Sequence, residues 1–371
     1  MNKISRRQYL KGSAAITGGL AISSIATAQT IMSYNENPTA DNPIRCGSNE
    51  NMYGPSLKAQ AAMDVAKSRA HLYGMPGIAP LKKIISNIEN IPVSHISVAC
   101  GSSPFLEKAT FMAKIDGGAI LAPYPTYGTV LETAASIGAE VISVPVDENM
   151  HINLDAMRAA MTDNVKMIYL CNPNNPIPTI IEKNKLKNFC IEMSKRAVVI
   201  VDEAYYEYAD DPDYETMAPL VNEHKNIVVC RTASKIHAMA GIRVGFAFAH
   251  PDNLKLLEPS FNLTMNYMAL KGAAVSYQDT EYQNFIRQKN KQSLDILYKM
   301  FKELGRNYIK SNSNFTYFHA GHKAGDVKKR LLPFGIISGR EFQPYSDWVR
   351  LSTVKPKEMQ YVADVYKREF G

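Results

Sequence analysis

The sequence predicts an α/β protein, with a mostly parallel sheet covered by helices on both faces and a smaller α+β domain after it. Three observations carry this expectation. Apolar strand-like runs alternate with helical patterns from residue 96 to about residue 250, the order that builds parallel sheets. From about Asn266 the texture changes to a long, charge-rich helical stretch and then to short strands. A length of 371 residues, 46% hydrophobic and 21% charged, allows one large or two medium domains with a sizeable core.

In chain order, residues 1–28 stand apart. They contain SRRQYLK, whose serine, arginine pair and aromatic-Leu-Lys form the pattern of a twin-arginine export signal, a route for proteins that fold before export. The apolar stretch that follows is short and diluted by Ser13, Thr17, Ser23, Ser24 and Thr27, which argues against a spanning helix, and Ala26-Thr27-Ala28 offers a small-x-small cleavage site. The mature chain is expected to begin near Gln29 and to reside in the periplasm, delivered by the twin-arginine machinery. Beyond it, no segment has the apolar length that a membrane span needs.

Residues 29–55 read as a polar arm rich in Asn and Pro, residues 56–265 as the large domain and residues 266–371 as the small one. The large domain takes its strands from ISVAC, AILAP, EVISVPV, KMIYLC, AVVIVDEAY, NIVVC and GIRVGFAFA. Helical patterns fall between the earlier of them, in SPFLEKATFMAK, residues 129–137, LDAMRAAM and LKNFCIEMSK. The small domain opens with a helix through EYQNFIRQKNKQSLDILYKMFKEL that ends near Gly305. It continues with NFTYFHA, a helix, short strands around GIISG and WVRLS, and a closing amphipathic helix.

Charge and cysteine usage narrow the function. Lys3, Arg6, Arg7 and Lys11 supply four of the +7 formal charges, and the +3 left on the body is too mild to suggest a nucleic-acid partner. Cys46, Cys100, Cys171, Cys190 and Cys230 are odd in number and irregularly spaced, so neither a disulfide framework nor a metal site is expected. His319 and His322, in HAGH, read as a loop rather than as metal ligands.

Parallel sheets bind ligands at the carboxyl ends of their strands, and four such ends carry chemistry here. RTASKIHAMAGIRVGF follows the strand NIVVC and puts Ser234 and Lys235 on a cleft wall, with Arg243 eight residues after the lysine. VVIVDEAYYEY ends a strand on Asp202 and Glu203, and YLCNPNNPIPT places Asn175 in the next loop. ACGSSPFLEKA puts Gly101, Ser102 and Ser103 at a strand-to-helix turn whose backbone N–H groups suit a phosphate.

A lysine amine, an acid, an amide and a phosphate cradle in this order resemble the fold-type I enzymes of pyridoxal phosphate, and specifically the histidinol-phosphate aminotransferase group of the class I/II aminotransferases. NENMYGPS is similar to that group's opening NENPYGPS, and VDEAY, RTASK and GIRVGF follow in the family's order. The resemblance runs from about Asn49 to the C-terminus. It implies pyridoxal 5′-phosphate as cofactor, amino acid and 2-oxo acid substrates, and a homodimer whose active sites are shared.

Residue by residue, the resemblance implies that Lys235 binds the cofactor aldehyde and acts as general base, while Asp202 faces the pyridine nitrogen. It implies that Tyr205 and Asn175 hold the phenolic oxygen and that Tyr127 stacks on the ring. Ser102, Ser103, Thr232, Ser234 and Arg243 would hold the phosphate, helped by Tyr73 of a neighbouring subunit. Arg350 would grip the substrate α-carboxylate, with Arg340, Tyr53 and Asn51 at the substrate side.

Two segments depart from the family pattern. Ser103-Pro104 replaces an acid or amide followed by Glu, and Ile177-Pro178 replaces Thr-Gly, which removes a position free to adopt positive φ and reshapes the loop on the substrate side. An L-amino acid is the expected donor. Histidinol phosphate itself, and decarboxylation or cyclisation on the same scaffold, remain alternatives, and a periplasmic solute-binding protein is the alternative outside enzymes.

Overall fold

Val, Ile and Leu dominate the apolar runs, and each run becomes a strand in the computed structural model, which describes residues 34–258 and 265–371. The export signal expected in residues 1–28 lies outside the described residues. After a short arm strand, β1 (Ile44–Arg45), come β2 (Ile96–Ala99), β3 (Ala119–Tyr124), β4 (Val141–Pro145), β5 (Val165–Cys171), β6 (Val198–Asp202), β7 (Ile227–Thr232) and β8 (Gly245–Ala249). Strands β2 to β8 form one sheet in the order β2-β8-β7-β6-β5-β3-β4, with β8 antiparallel to both neighbours and the other pairs parallel.

Alternation along each strand feeds two helical layers. Ile168, Leu170, Val199 and Val201 pack with Leu186 and Phe189 of the helix Lys183–Met193 on one face. Met167, Tyr169, Cys171 and Ile200 face the other way, onto Phe105 and Leu106 of Ser103–Ile115 and Val130 of Thr129–Ser136. Register sets what lies side by side at the strand ends: Asp202 stands opposite both Cys171 and Cys230.

The long helical stretch expected after Asn266 is two helices, Tyr267–Ser276 and Thr280–Glu303. Asp279 caps the second by accepting from the Tyr282 N–H. The first helix contributes Ala269, Leu270 and Ala273 to the core beneath the main sheet. Strands β9 (Tyr308–Ile309), β10 (Phe315–His319), β11 (Ile336–Ile337) and β12 (Trp348–Ser352) follow. β12, β10 and β9 make an antiparallel sheet, while β11 pairs with β1. Ile44 and Cys46 are therefore buried with Phe301, Val349 and Tyr366, so the arm is part of the small domain's core before it runs on toward the strand ends of the large one.

Two buried networks hold the site's underside. Glu203, directly after Asp202, points away from the cleft and accepts two hydrogen bonds at 3.0 Å from Arg231, which is itself buried and lies over the Tyr206 ring. His237, two residues past Lys235, sits between Ser276 and Glu207. Both fix the loops that carry the cleft residues.

Candidate active site

The ends of β5, β6 and β7 are neighbours, so the segments after them converge on one cavity. Asp202 and Tyr205 come from the end of β6, and Thr232, Ser234, Lys235 and Arg243 from β7 and the loop after it. Ser102, Ser103 and Tyr127 close the side under β2 and β3. The Tyr127 loop is tied down by Thr126, which donates to Asn174 Oδ1 at 2.9 Å.

Lys235 is partly exposed at the cavity wall, its Nζ 5.3 Å from the Tyr205 ring centre. Desolvation pushes its ammonium down to about 8, Arg350 pushes the same way, and Asp202 opposes both. The neutral fraction of the amine near neutral pH is thus far larger than that of an ordinary lysine, which makes it a usable nucleophile and base. Asp202 moves the other way. Burial pushes its carboxyl up to about 6, resisted by hydrogen bonds from the Tyr169 hydroxyl (3.2 Å to Oδ2) and the Ala204 N–H (3.1 Å to Oδ1). Tyr169 reaches Asp202 because it lies two residues before Cys171, on the same face of the adjacent strand.

An anion cradle forms where β2 meets its helix. Gly101 has φ +94°, and a Cβ there would come within 2.2 Å of Arg243 Nη2. Gly245 likewise leaves room for the Gly101 backbone, 2.2 Å from where its own Cβ would stand. Arg243, at φ 69°, donates to Ser234 Oγ (3.1 Å), Ala240 O (3.0 Å) and Cys100 O (3.1 Å). Thr232 and Ser234 share a 2.8 Å hydrogen bond, and Ser102, at the start of the helix Ser103–Ile115, makes no capping bond with its hydroxyl. A guanidinium, several hydroxyls and a helix N-terminus on one spot suit a phosphate.

Tyr205 links the cavity to the small domain. Its hydroxyl accepts from Asn49 Nδ2 (3.0 Å) and Asn175 Nδ2 (3.2 Å), which occupies both lone pairs and leaves its proton for a partner in the cavity. Burial pushes this phenol's pKa up, so the proton is retained. Asn175 Oδ1 accepts in turn from Arg350 Nη1 at 2.6 Å. Arg350 is buried on β12, and its Nε–H has no partner among the described residues.

Other residues singled out by the sequence stand elsewhere. Asn51 donates to the Ile236 carbonyl, next to Lys235, while Tyr53 is buried against Phe285 in an adjoining crevice. Tyr73 is 79% exposed and outside the cavity. Arg340 lies at the mouth, paired with Glu132. Ile177 is buried against Val146 and Tyr317, so the altered loop packs on the small domain instead of turning freely.

The residues fit pyridoxal 5′-phosphate: a reactive amine, a buried carboxylate that opposes it, a phenol with one free proton and a cradle for a dianion line one cavity. The family described as aminotransferase class I and II matches residues 41–365. The chain belongs to the class I and II aminotransferases.

This aminotransferase is 32% identical to the histidinol-phosphate aminotransferase of Caldicellulosiruptor saccharolyticus, over 79% of this chain and 82% of that one. A crystal structure from Erwinia carotovora atroseptica, provisionally named for the same activity, superposes with a TM-score of 0.87 at 31% identity, covering 90% of this chain and 98% of that one. The Sinorhizobium meliloti histidinol-phosphate aminotransferase in complex with pyridoxal 5′-phosphate has a TM-score of 0.81 at 22% identity, over 88% and 91% of the two chains, and shares the fold. The protein is a fold-type I aminotransferase that depends on pyridoxal 5′-phosphate.

Bound in this cavity, the cofactor supplies an aldehyde and a ring that draws electrons from the substrate α-carbon. The chain supplies the rest. The Lys235 amine would hold the aldehyde carbon and, when released, would carry a proton to and from the α-carbon. The Asp202 carboxylate would hold a proton on the ring nitrogen, and the Tyr205 hydroxyl would donate to the phenolic oxygen.

The sequence reading passed over Asn49 and Tyr169. Asn49 holds Tyr205 from a left-handed backbone (φ 54°) and bonds Ser352 through both its N–H and its Oδ1. Its place in NENMYGPS, and the tolerance of Asn for that conformation, were signals for it. Tyr169 carried none, because an aromatic inside an apolar run reads as core.

Burial of Asp202 predicts a stability cost in the cofactor-free protein. A carboxyl raised from 3.8 to about 6 destabilises the fold as pH rises through that interval, by at most about 3 kcal/mol above it. Asp202→Asn removes the charge, so the variant's urea midpoint should exceed the parent's at pH 7.5 and converge with it near pH 4. A less stable variant at pH 7.5 would contradict the assignment of cost.

Proposed function

We propose that this aminotransferase takes its amino group from an L-amino acid, passes it to a 2-oxo acid in two half-reactions, and grips both by their α-carboxylates through Arg350. One observation carries this reading. Arg350 is buried beside the cavity with Asn175 Oδ1 and the Gly47 carbonyl orienting its guanidinium, and its remaining N–H groups are available to a planar anion. In the same reading Lys235, Asp202, Tyr205 and Asn175 serve the cofactor ring, Tyr127 stacks on it, and Ser102, Ser103, Thr232, Ser234 and Arg243 hold its phosphate. A second reading, histidinol phosphate as the donor, is favoured by the names of the relatives. That compound has no α-carboxylate.

Arg350→Lys separates the two. With an L-amino acid it should cost roughly 1.5 to 3 kcal/mol of transition-state binding, since lysine offers no fork. Single-turnover kcat/KM, read from the cofactor absorbance, measures this. Efficient reaction of the parent with histidinol phosphate and with no common amino acid would favour the second reading.

We also propose that the protein is exported folded, through the twin-arginine signal at residues 1–28, and works in the periplasm as a homodimer. SRRQYLK supports the export route, and a cofactor made in the cytoplasm can be loaded only into a folded cavity. Val65, Leu72 and Tyr73, large and 50% to 79% exposed on neighbouring turns, support a face that a second copy covers. Replacing Arg6 and Arg7 by Lys should leave the protein in the cytoplasm with its signal attached, whereas the parent is recovered from the periplasm and sediments as a dimer. A variant that still reaches the periplasm would contradict the route, and a parent that sediments as a monomer the assembly.

A further inference from the structure

Arg340 and Arg350 share one aromatic ring. The Arg350 guanidinium lies 5.0 Å from the centre of Phe342 and that of Arg340 lies 5.2 Å from it, so both charges lie against one ring. A substrate held at its α-carboxylate by Arg350 extends along Phe342, and its distal group comes to the Arg340 end. There Arg340 is already matched. Its Nη2 lies 3.2 Å from Oε1 of Glu132, on the helix Thr129–Ser136 across the mouth.

The backbone makes room for this pair. Gly128 directly follows Tyr127, a wall of the cavity, and a Cβ on it would stand 2.5 Å from Glu132 Oε1 and 3.2 Å from Arg340 Nη2. The two charges, one from each domain, therefore meet over the rim of the substrate path. Both side chains are more than half exposed, at 62% and 65%, so the pair adds little to stability. Its effect is on the field that a substrate meets, because it cancels the charge of Arg340 and leaves that of Arg350.

We propose that Glu132 is a specificity-determining residue: by neutralising Arg340 it selects L-amino acids with uncharged side chains and rejects substrates with a distal phosphate. The proposal rests on the L-amino acid reading given above. A phosphate monoester carries about −1.5 to −2 at neutral pH. To use Arg340 it must displace Glu132 and then lie beside that carboxylate, a like-charge contact. An apolar side chain lies on Phe342 and disturbs neither group.

The test compares kcat/KM for histidinol phosphate and for L-phenylalanine in the loaded parent, E132Q and E132Q/R340Q. The parent should prefer L-phenylalanine, E132Q should raise the histidinol phosphate to L-phenylalanine ratio about tenfold or more, and the double variant should return it to the parent's value. An unchanged ratio in E132Q, or a gain that persists without Arg340, overturns the role of Glu132 while the L-amino acid reading stands. A parent that prefers histidinol phosphate overturns both.

Discussion

Burial acts on Lys235 and Asp202 in opposite chemical senses, and the rest of the site depends on how that conflict is held. A lysine amine must lose its proton to be reactive, and the cavity helps by pushing its ammonium down to about 8. The same cavity pushes Asp202 up to about 6, toward the neutral form that cannot hold a proton on a ring nitrogen. The Tyr169 hydroxyl, the Ala204 N–H and the nearby lysine charge all favour the carboxylate, so one low-dielectric pocket keeps an ionised acid beside an amine that gives up its proton more readily than an ordinary lysine.

A chain of polar contacts carries that arrangement across the two domains. Ser352 holds Asn49, Asn49 and Asn175 hold Tyr205, and Asn175 holds Arg350, so groups meant for cofactor and for substrate share their supports. Arg350 is paired across β10 with Tyr317, which packs on Ile177. Arm, large-domain loop and small-domain strand thus meet beside the cavity, and a shift in any one moves the Arg350 guanidinium.

The fold was legible because strand periodicity is a local signal: every apolar run between residues 96 and 249 is a strand, and the segments after β2, β3, β6 and β7 carry residues that line the cleft. Lys235, Asp202 and Arg243 stood out for the same reason, as charged or polar groups at the ends of apolar runs. What escaped was set by register and distance. Tyr169 looks like core until pairing with β6 brings its hydroxyl to Asp202, and no sequence spacing links Glu132 to Arg340 across the mouth. The helix Met75–Glu89 drew no prediction; its Pro76 falls in the first turn, where no N–H is needed. Conversely Tyr53 was matched by motif, and the structure puts it in a neighbouring crevice, while Tyr73, expected to reach the site of a neighbouring subunit, lies exposed on the surface.

The central claim is that the Lys235 amine, made available by its cavity, is the group that holds the cofactor. Borohydride reduction of the loaded enzyme followed by peptide mass spectrometry tests it most directly. The account predicts a pyridoxyl-phosphate mass on the peptide containing Lys235 and none in the Lys235→Ala variant. Label on a different lysine of the parent, or unchanged labelling of the variant, would contradict it.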